Sequence, residues 1–277
     1  MLTGTRLAVW GDPIAHSLSP ALHTAAYRVL EVDWEYGRAR VDEAAFPAAL
    51  AALDASWRGL SLTMPLKSIA ARTAVTLDAA AERTGAVNTL VLTAEGPRGF
   101  NTDVGGLVRA LHEQGVESVE RARILGAGAT ATSALVALAD LGARDVEVVA
   151  RRTEAVAPLA ALGSALDIEV TAARFGSTPA ARVDVTVSTL PGGTDLGAAA
   201  APLAQHGGLL VDVVYGGWPT ALAEACVAAG SAAVSGLPML LHQALLQVRV
   251  FVAGDPARPV QSEPAVLAAM RRALVGD

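Results

Sequence analysis

Cysteine, lysine and asparagine are scarce in this chain of 277 residues, and no apolar run reaches the roughly 18 residues of a membrane-spanning helix. The lone Cys226 excludes an intramolecular disulfide and a metal site built from cysteines. The net charge is −6 and the basic residues stand singly or in pairs, so the sequence predicts no surface for nucleic acid or an anionic membrane. These absences favour a small molecule as the ligand.

The composition is that of a globular protein. Hydrophobic residues make up 52% and charged residues 17% of the sequence, which excludes intrinsic disorder and predicts a soluble protein. The length favours two domains. The first residues lead into a strand-like run at 7–10, without the basic and apolar regions of a signal peptide. Together with the single cysteine, this start predicts a cytoplasmic protein, as a monomer or a homodimer.

The single lysine is the most informative of these scarce residues. Lysine and arginine together number 21, and only Lys67 is a lysine. Arginine stays protonated, whereas a lysine ammonium is compact and can take part in proton transfer. Lys67 therefore indicates acid–base chemistry, with a chance surface survivor as the alternative. The only two asparagines, Asn88 and Asn101, also lie in loops marked by glycine or proline, where functional residues concentrate.

Short β-like runs alternate with alanine-rich helical stretches along the chain, a pattern typical of an α/β fold. A helix at 103–114 ends at Gly115 and marks a domain boundary. Beyond it, a strand, a glycine turn, a helix and a second strand predict a doubly wound parallel sheet of the Rossmann type. The predicted strands are 7–10, 34–41, 59–63, 88–93, 123–125, 146–150, 183–188 and 208–213, and the predicted helices include 20–30, 44–53, 68–71, 157–166, 198–206 and 220–229.

The end of the chain is predicted to return to its beginning. Helices at 238–252 and 264–274 follow the parallel sheet and are long enough to pack on the first domain. We therefore expect a domain of residues 1–104 completed by 237–277, and a dinucleotide-binding domain of residues 105–236.

A glycine turn between strand and helix predicts the dinucleotide site. In Gly126-x-Gly128-x-x-Ala131, the first glycine permits a tight turn, the second lets the backbone approach a pyrophosphate, and the small third residue lets helix pack on strand. A tight turn without a ligand is the alternative. Ala129 fits this site only if its φ is negative. The predicted cofactor contacts here are Gly126, Ala127, Gly128, Ala129 and Thr130.

Two arginines at the end of the next strand favour NADP over NAD. A site for NAD places an acidic residue there, about twenty residues after the glycine turn, to bind the ribose 2′-hydroxyl. This chain has Arg151 and Arg152 instead, and guanidinium groups pair with a 2′-phosphate. A surface arginine pair that begins a loop is the alternative.

Polar loops of the first domain carry the other candidates. In His16-Ser17-Leu18-Ser19-Pro20, Ser19 is expected to cap a helix that has Pro20 at its first position. Capping does not explain Ser17, and two hydroxyls two residues apart would suit a ligand carboxylate. The loops around Lys67, Asn88 and 101–103 are equally polar, although each alone could be a simple turn.

Seven segments spread over nearly the whole chain carry recognisable motifs: HSLSP at 16–20, SLTMPLK at 61–67, GAVNTL at 85–90, FNTDVGG at 100–106, GAGATA at 126–131, DVVYGGWPT at 212–220 and GLPMLLHQALLQVRVF at 236–251. In their order and spacing these motifs resemble the shikimate dehydrogenase family. The resemblance implies an NADP-dependent enzyme that reversibly reduces 3-dehydroshikimate to shikimate, on the route to chorismate and the aromatic amino acids. It also implies a substrate domain assembled from both chain ends and a Rossmann cofactor domain between them.

The resemblance also implies roles for individual residues. Lys67 and Asp103 match the catalytic pair, in which we expect Lys67 to exchange the hydroxyl proton and stabilise the developing oxyanion, while Asp103 orients it and binds a ring hydroxyl. Gly236 is expected to join the cofactor contacts. No metal is expected, since the histidines lack the spacing of metal ligands. The implied substrate contacts are Ser17, Ser19, Thr63, Asn88, Tyr215 and Gln243.

Several positions depart from the family's pattern. Ser61 replaces the usual Asn and is expected to be neutral, because its side chain should lie outside the pair of Thr63 and Lys67. Ala129 replaces a glycine, and Ala150-Arg151-Arg152 replaces Asn-Arg-Thr. Val104 and the stretch Tyr215-Gly216-Gly217 also differ, which weakens the assignment of Tyr215.

Two other functions remain as alternatives. One is a quinate/shikimate dehydrogenase with relaxed use of substrate or of NAD. The other is a dinucleotide-binding regulator without catalytic activity, which the retention of both Lys67 and Asp103 disfavours.

Overall fold

The computed structural model describes residues 4–275, which fold into two compact units. The first unit contains the described residues up to Gly106 and from Leu241 onward, and the second spans Leu107–Leu240. Each unit is built on a six-stranded sheet with helices between the strands. The α/β class predicted from the alternating pattern is therefore confirmed.

The first unit starts with alternating strands and helices and then adds a hairpin. Residues 34–41 and 88–93, predicted as strands, overlap the second and fifth strands of the structure. In chain order the elements are β1 (Arg6–Gly11), α1 (Ser19–Val29), β2 (Glu35–Arg40), α2 (Phe46–Ala51), β3 (Trp57–Leu62), α3 (Lys67–Thr73), β4 (Thr76–Leu77), α4 (Ala79–Thr84), β5 (Thr89–Thr93), β6 (Gly96–Phe100) and α5 (Thr102–Glu113). Helix α5 belongs to the first unit up to Gly106 and to the second unit from Leu107.

The sheet of the first unit is mixed, with the strand order β2-β1-β3-β5-β6-β4. Strand β1 is parallel to both β2 and β3, whereas β5 is antiparallel to both β3 and β6. Strands β1 and β3 are buried along nearly their whole length, and the buried residues of β3 include the polar Arg58 and Ser61. Their core includes Trp10, whose ring meets Phe46 edge-on at a centroid distance of 6.2 Å.

The second unit follows the predicted Rossmann pattern from its first strand. It also contains 3-10 turns at Thr153–Val156 and Gly197–Ala199. Its elements are β7 (Arg121–Leu125), α6 (Ala129–Asp140), β8 (Asp145–Ala150), α7 (Ala157–Ala165), β9 (Glu169–Arg174), β10 (Val185–Ser188), α8 (Ala200–Gln205), β11 (Leu209–Asp212), α9 (Ala221–Ala228) and β12 (Ala233–Val234).

The second sheet is parallel throughout, in the order β12-β11-β10-β7-β8-β9. The doubly wound parallel sheet predicted from the sequence is thus confirmed. Residues 175–184 cross from β9 to β10 without a helix. There the buried Arg123 donates to Glu147 Oε2 at 2.5 Å and to the carbonyl oxygen of Ala181 at 3.0 Å, which ties the crossover to the sheet.

Two further helices, α10 (Leu237–Ala253) and α11 (Glu263–Val275), end the described chain. From Leu241 onward they belong to the first unit, as the sequence predicted, and there α11 packs on α1. Arg249 of α10 pairs with Glu263 of α11 and also donates to the carbonyl oxygen of Pro256 at 2.9 Å. This buried arginine holds the turn between the two helices.

Candidate active site

Four strand ends meet at one edge of the first unit's sheet. The parallel strands β1 and β3 both end there, at Gly11 and Leu62. Strand β5 begins at this edge because Ser61 of β3 pairs with Thr89, and β6 ends there because Phe100 also pairs with Thr89. The segments that adjoin this edge are residues 12–18, 63–66, 85–88 and 101–103, which carry three of the six predicted substrate contacts, Ser17, Thr63 and Asn88.

Lys67 and Asp103 form an ion pair at this edge. Lys67 is the first residue of α3 and Asp103 lies in the first turn of α5. Lys67 Nζ donates to Asp103 Oδ2 at 2.5 Å, and the two side chains are 12% and 7% exposed. The pair is nearly enclosed yet still reachable by a small ligand, as proton transfer to a substrate requires.

Asn88 holds the other oxygen of the same carboxylate. Its Nδ2 donates to Asp103 Oδ1 at 2.8 Å and to Thr102 Oγ1 at 2.9 Å. Its Oδ1 accepts from the backbone N–H of Thr102 at 2.9 Å. Because a backbone N–H only donates, this contact fixes which end of the amide carries the oxygen. Asp103 is therefore held on both carboxylate oxygens.

A buried turn fixes the backbone of Asp103. Its N–H donates to Asn101 Oδ1 at 3.0 Å, and the N–H of Asn101 donates to Asp78 Oδ1 at 3.1 Å. Asp78 also caps α4 by accepting from the N–H of Ala81 at 2.8 Å. Burial raises the pKa of the Asp78 carboxyl above its ordinary value. Both asparagines of the chain thus hold Asp103, Asn88 at the carboxylate and Asn101 at the backbone N–H.

Gln243 and Thr63 complete the first unit's predicted contacts. Gln243 lies on α10, and its Oε1 is 3.5 Å from Asn88 Nδ2. Helix α5 approaches it closely, since a Cβ at Gly106 would lie 2.6 Å from Gln243 Cβ. Thr63 is half-buried beside Gly11 and its N–H donates to the carbonyl oxygen of Trp10 at 3.0 Å. The structure thus gathers Lys67, Thr63, Asn88, Asp103 and Gln243 at one edge.

The predicted cap of α1 is wrong. The helix begins at Ser19, so Ser19 is its first helical residue and Leu18 occupies the N-cap position without a side-chain bond. Ser17 Oγ instead accepts from the N–H of Ser19 at 3.3 Å. Ser19 is buried and its side chain hydrogen-bonds to Tyr36. Ser17 was not expected to take part in capping, yet its hydroxyl accepts from the Ser19 N–H in the first turn of the helix.

Ser61, expected to be a neutral departure from the family's pattern, lies in a buried hydrogen-bonded cluster outside the pair of Thr63 and Lys67, and its neutrality stays a prediction. Its hydroxyl is buried, accepts from Tyr36 OH at 2.6 Å and donates to Gln247 Oε1 at 2.8 Å. Sequence reasoning did not select Tyr36 or Gln247. The signal for Gln247 is its position one helical turn after Gln243, which places both amides on one face of α10.

His23 lies at the far end of this polar cluster. It is fully buried, its ring stacks on Tyr36 at a centroid distance of 4.0 Å, and its Nε2 is 3.2 Å from Gln247 Oε1. Burial lowers the pKa of His23 to about 3, so the imidazole is neutral at physiological pH. Burial also raises the pKa of Tyr36.

The glycine turn of the second unit is shaped for a phosphate. Gly126 has φ +105°, and a Cβ there would lie 2.6 Å from Thr189 Oγ1. Gly128 precedes α6, and a Cβ on it would meet nothing within 4 Å, so the approach to the helix N-terminus is open. Ala129 starts the helix without a positive φ, which meets the condition set for it. The turn fits a pyrophosphate.

Arg151 and Arg152 follow directly after β8, at the carboxyl end of the parallel sheet. Both are exposed, and neither forms an ion pair with any residue in the range 4–275. Two unpaired guanidinium groups fit the second phosphate that distinguishes NADP from NAD.

The loop after β11 carries Tyr215. Asp212 closes this loop by accepting from Thr220 Oγ1 at 2.9 Å and from the N–H of Val214 at 3.2 Å. Burial raises the pKa values of Asp212 and Tyr215. Gly236 packs against the same loop, and a Cβ there would lie 2.1 Å from the carbonyl oxygen of Val213. Tyr215 belongs to the second unit, unlike the other predicted substrate contacts.

Residues 4–275 contain neither a metal-binding cluster nor a membrane-spanning helix. No group of three or more His, Cys, Asp or Glu side chains could hold a metal ion there. Nor does any helix in that range combine the length and apolar character needed to cross a membrane.

A parallel-sheet unit with an open glycine turn and a second α/β unit with a lysine–carboxylate pair define a two-domain pyridine-nucleotide dehydrogenase. Comparison with known proteins places it more narrowly: the chain belongs to the shikimate dehydrogenase family. Residues 9–90 match the model of the shikimate dehydrogenase substrate binding domain. The resemblance inferred from the motifs is confirmed.

Relatives match along nearly the whole chain. The shikimate dehydrogenase (NADP(+)) of Methanothermobacter thermautotrophicus is 34% identical over 292 residues, covering 100% of both chains. The crystal structure of Mycobacterium tuberculosis shikimate dehydrogenase has a TM-score of 0.85 and 40% identity, covering 96% of this chain and 99% of that one. Shikimate 5-dehydrogenase of Thermus thermophilus, solved with NADP(H) and shikimate, has a TM-score of 0.80 and 30% identity over 97% and 99% of the two chains.

Proposed function

We propose that this protein catalyses the reversible, NADP-dependent reduction of 3-dehydroshikimate to shikimate, a step toward chorismate and the aromatic amino acids. The observation that carries the proposal is the ion pair of Lys67 and Asp103, 2.5 Å apart, at an edge where Asn88, Thr63 and Gln243 also converge. The relatives named above support it, since they carry that activity in their names and match both units.

Lys67 transfers the proton in this proposal. Its ammonium has three N–H donors, and the contact with Asp103 Oδ2 uses one of them. The others are free to bind the substrate oxygen, to stabilise negative charge as it develops there, and to protonate it during reduction. In the reverse direction Lys67 accepts the hydroxyl proton. NADP, when bound, supplies or accepts the hydride.

Asp103 acts as the orienting partner. The contact of Asn88 Nδ2 with its Oδ1 prevents the carboxylate from rotating away from Lys67. The carboxylate also counters the ammonium charge in a nearly enclosed site, and we assign it a bond to a ring hydroxyl of the substrate.

The remaining contacts are assigned by chemistry. We assign the substrate carboxylate to the hydroxyls of Ser17 and Ser19, and the ring hydroxyls to Thr63, Asn88 and Gln243. Tyr215 is proposed as the substrate contact of the second unit, where burial favours its neutral, hydrogen-bonding form.

The cofactor contacts lie in the second unit. We assign the pyrophosphate to the turn at 126–130, the 2′-phosphate to Arg151 and Arg152, and a close backbone approach to Gly236. The open space at Gly128 and the unpaired arginines support this assignment.

The same reasoning extends to organisation and location. We propose residues 1–104 with 237–277 as the substrate domain and 105–236 as the cofactor domain, in a monomer or homodimer. A cytoplasmic location is supported by the single, buried Cys226, since reducing compartments do not favour disulfides.

Initial rates of oxidation of shikimate and of quinate, each with NADP and with NAD, test the proposal. Reduced nicotinamide is followed by absorbance. A marked preference for shikimate with NADP is expected. Comparable rates with quinate or NAD would assign the broader quinate/shikimate activity, and no turnover with any pair would leave a dinucleotide-binding regulator.

A further inference from the structure

The carboxamide of Gln247 is the centre of a buried hydrogen-bond network behind Lys67 and Asp103. Gln247 is 2% exposed and lies on α10, one helical turn after Gln243. Its Nε2 donates to the carbonyl oxygen of Asn88 and to Thr89 Oγ1, both at 3.0 Å. One side chain thus joins α10 to the start of β5, from which Asn88 reaches Asp103.

The opposite end of the carboxamide is equally occupied. Gln247 Oε1 accepts from Ser61 Oγ at 2.8 Å and faces His23 Nε2 at 3.2 Å. The carbonyl oxygen of Asn88 only accepts, so the amide nitrogen must face it and the amide oxygen must face Ser61 and His23. His23 then carries its proton on Nε2, and its Nδ1 accepts from Tyr27 OH at 3.0 Å.

Both N–H groups and both lone pairs of the carboxamide are used. Gln247 therefore has no hydrogen-bonding capacity left for a substrate, in contrast to the donors of Lys67. It acts on the reaction only through the groups that it holds.

The path from Gln247 to the reacting pair is short. Thr89 Oγ1 accepts a hydrogen bond from Gln247 and donates one to Asn88 Oδ1 at 2.8 Å. The backbone N–H of Thr102 sets which end of the Asn88 amide is the oxygen, whereas Gln247 sets where Asn88 lies. Asn88 Nδ2 then reaches Asp103 Oδ1, and Asp103 reaches Lys67.

We infer that Gln247 is a positioning residue: by holding the carbonyl oxygen of Asn88 and the hydroxyl of Thr89, it fixes Asn88 and thereby the alignment of Asp103 with Lys67. This inference rests on the proposed function. A small displacement of an aligned pair costs a large factor in rate, so the loss of Gln247 should lower kcat more than it raises KM.

The test compares Gln247→Leu with the wild type in shikimate oxidation with NADP. Leucine keeps the approximate shape and removes every hydrogen bond. We expect kcat to fall by about 10- to 100-fold, while KM for both substrates stays within about threefold. Thr186→Val is the matched control. It removes a buried hydroxyl of the second unit that has no hydrogen-bond partner within residues 4–275, and it should leave kcat unchanged.

Gln247→Glu keeps the test decisive if Gln247→Leu does not fold. Burial favours the protonated form of the introduced carboxyl, and that form donates one hydrogen bond toward Asn88 or Thr89. Its ionised form donates none. The ratio of its kcat to that of the wild type should therefore fall as pH rises, which a role in filling space would not produce.

The outcomes separate the two claims. A wild type without turnover contradicts the proposed function, and the inference falls with it. An active wild type alongside a folded Gln247→Leu variant with kcat within twofold, or a Gln247→Glu ratio that is constant with pH, overturns the positioning role alone.

Discussion

His23 makes the stability of the first unit sensitive to acid. The imidazole is fully buried and its pKa is lowered to about 3, against 6.5 for an ordinary histidine. Between these values the unfolded chain binds a proton that the folded chain does not. Stability from this residue is therefore complete above pH 6.5 and is lost as pH falls toward 3.

The size of the effect follows from the two pKa values. With the folded state neutral, protonation of the unfolded histidine lowers the free energy of unfolding by about 2 kcal/mol between pH 7 and pH 5. His23→Gln removes the titrating group while keeping an amide that can donate to Gln247 Oε1. Between pH 7 and pH 5, the free energy of unfolding of the variant should fall by about 2 kcal/mol less than that of its parent.

Urea unfolding at pH 7 and pH 5, followed by tryptophan fluorescence, measures this difference. Of the tryptophans, Trp10, Trp34 and Trp57 lie in the first unit and Trp218 in the second, so a Trp218→Phe background reports on the first unit alone. If the His23→Gln variant loses as much stability as its parent between pH 7 and pH 5, the neutral buried imidazole is refuted.

Three further perturbations test other parts of the molecule. Arg151→Ala should lower kcat/KM with NADP by about 10-fold or more, because a charge-assisted hydrogen bond to the 2′-phosphate is lost. It should leave kcat/KM with NAD nearly unchanged. Equal losses with both cofactors would contradict the assignment of Arg151 to the 2′-phosphate. Asp78→Asn keeps the oxygen that accepts from the N–H groups of Ala81 and Asn101 but removes the carboxyl. Burial raises the pKa of this carboxyl, so its ionisation lowers the stability of the folded wild type as pH rises. In urea unfolding the variant should therefore gain stability relative to the wild type from acid to neutral pH, and a constant difference would count against the buried carboxylate. Gly236→Ala forces a Cβ against the carbonyl oxygen of Val213 and should lower the free energy of unfolding by about 1–3 kcal/mol, which a lower thermal midpoint would show. Gly216→Ala is the control, because a Cβ at Gly216 meets nothing within 4 Å. Equal midpoints for the two variants would contradict the close packing at Gly236.

Much of the fold could be predicted because its elements agree with their local sequence. Strand β1 carries an unbroken apolar run at 7–10, and the turn at Gly126 carries a pattern with a physical meaning. Strand β6, in contrast, is Gly-Pro-Arg-Gly-Phe, which has the composition of a turn. It is a strand because β5 pairs with it along its whole length, and such a partner is invisible to local propensity.

The candidate site shows the same division. Lys67, Asn88 and Asp103 stood out as scarce or polar residues in marked loops, and the resemblance to a family supplied their roles. Ser61 and Gln247 were missed because their importance lies in the bond between them, across 186 residues of chain. Ser19 was misplaced by one position, since sequence alone does not fix where a helix begins.

The kcat of Lys67→Arg in shikimate oxidation with NADP tests the proton-transfer role most directly. Arginine keeps the positive charge and can still pair with Asp103, but it does not exchange a proton near neutral pH. We predict a fall in kcat of about 100-fold or more, with NADP binding and the thermal midpoint close to those of the wild type. A folded variant that retains kcat within a few-fold of the wild type would contradict the assignment of Lys67 as the proton-transfer group.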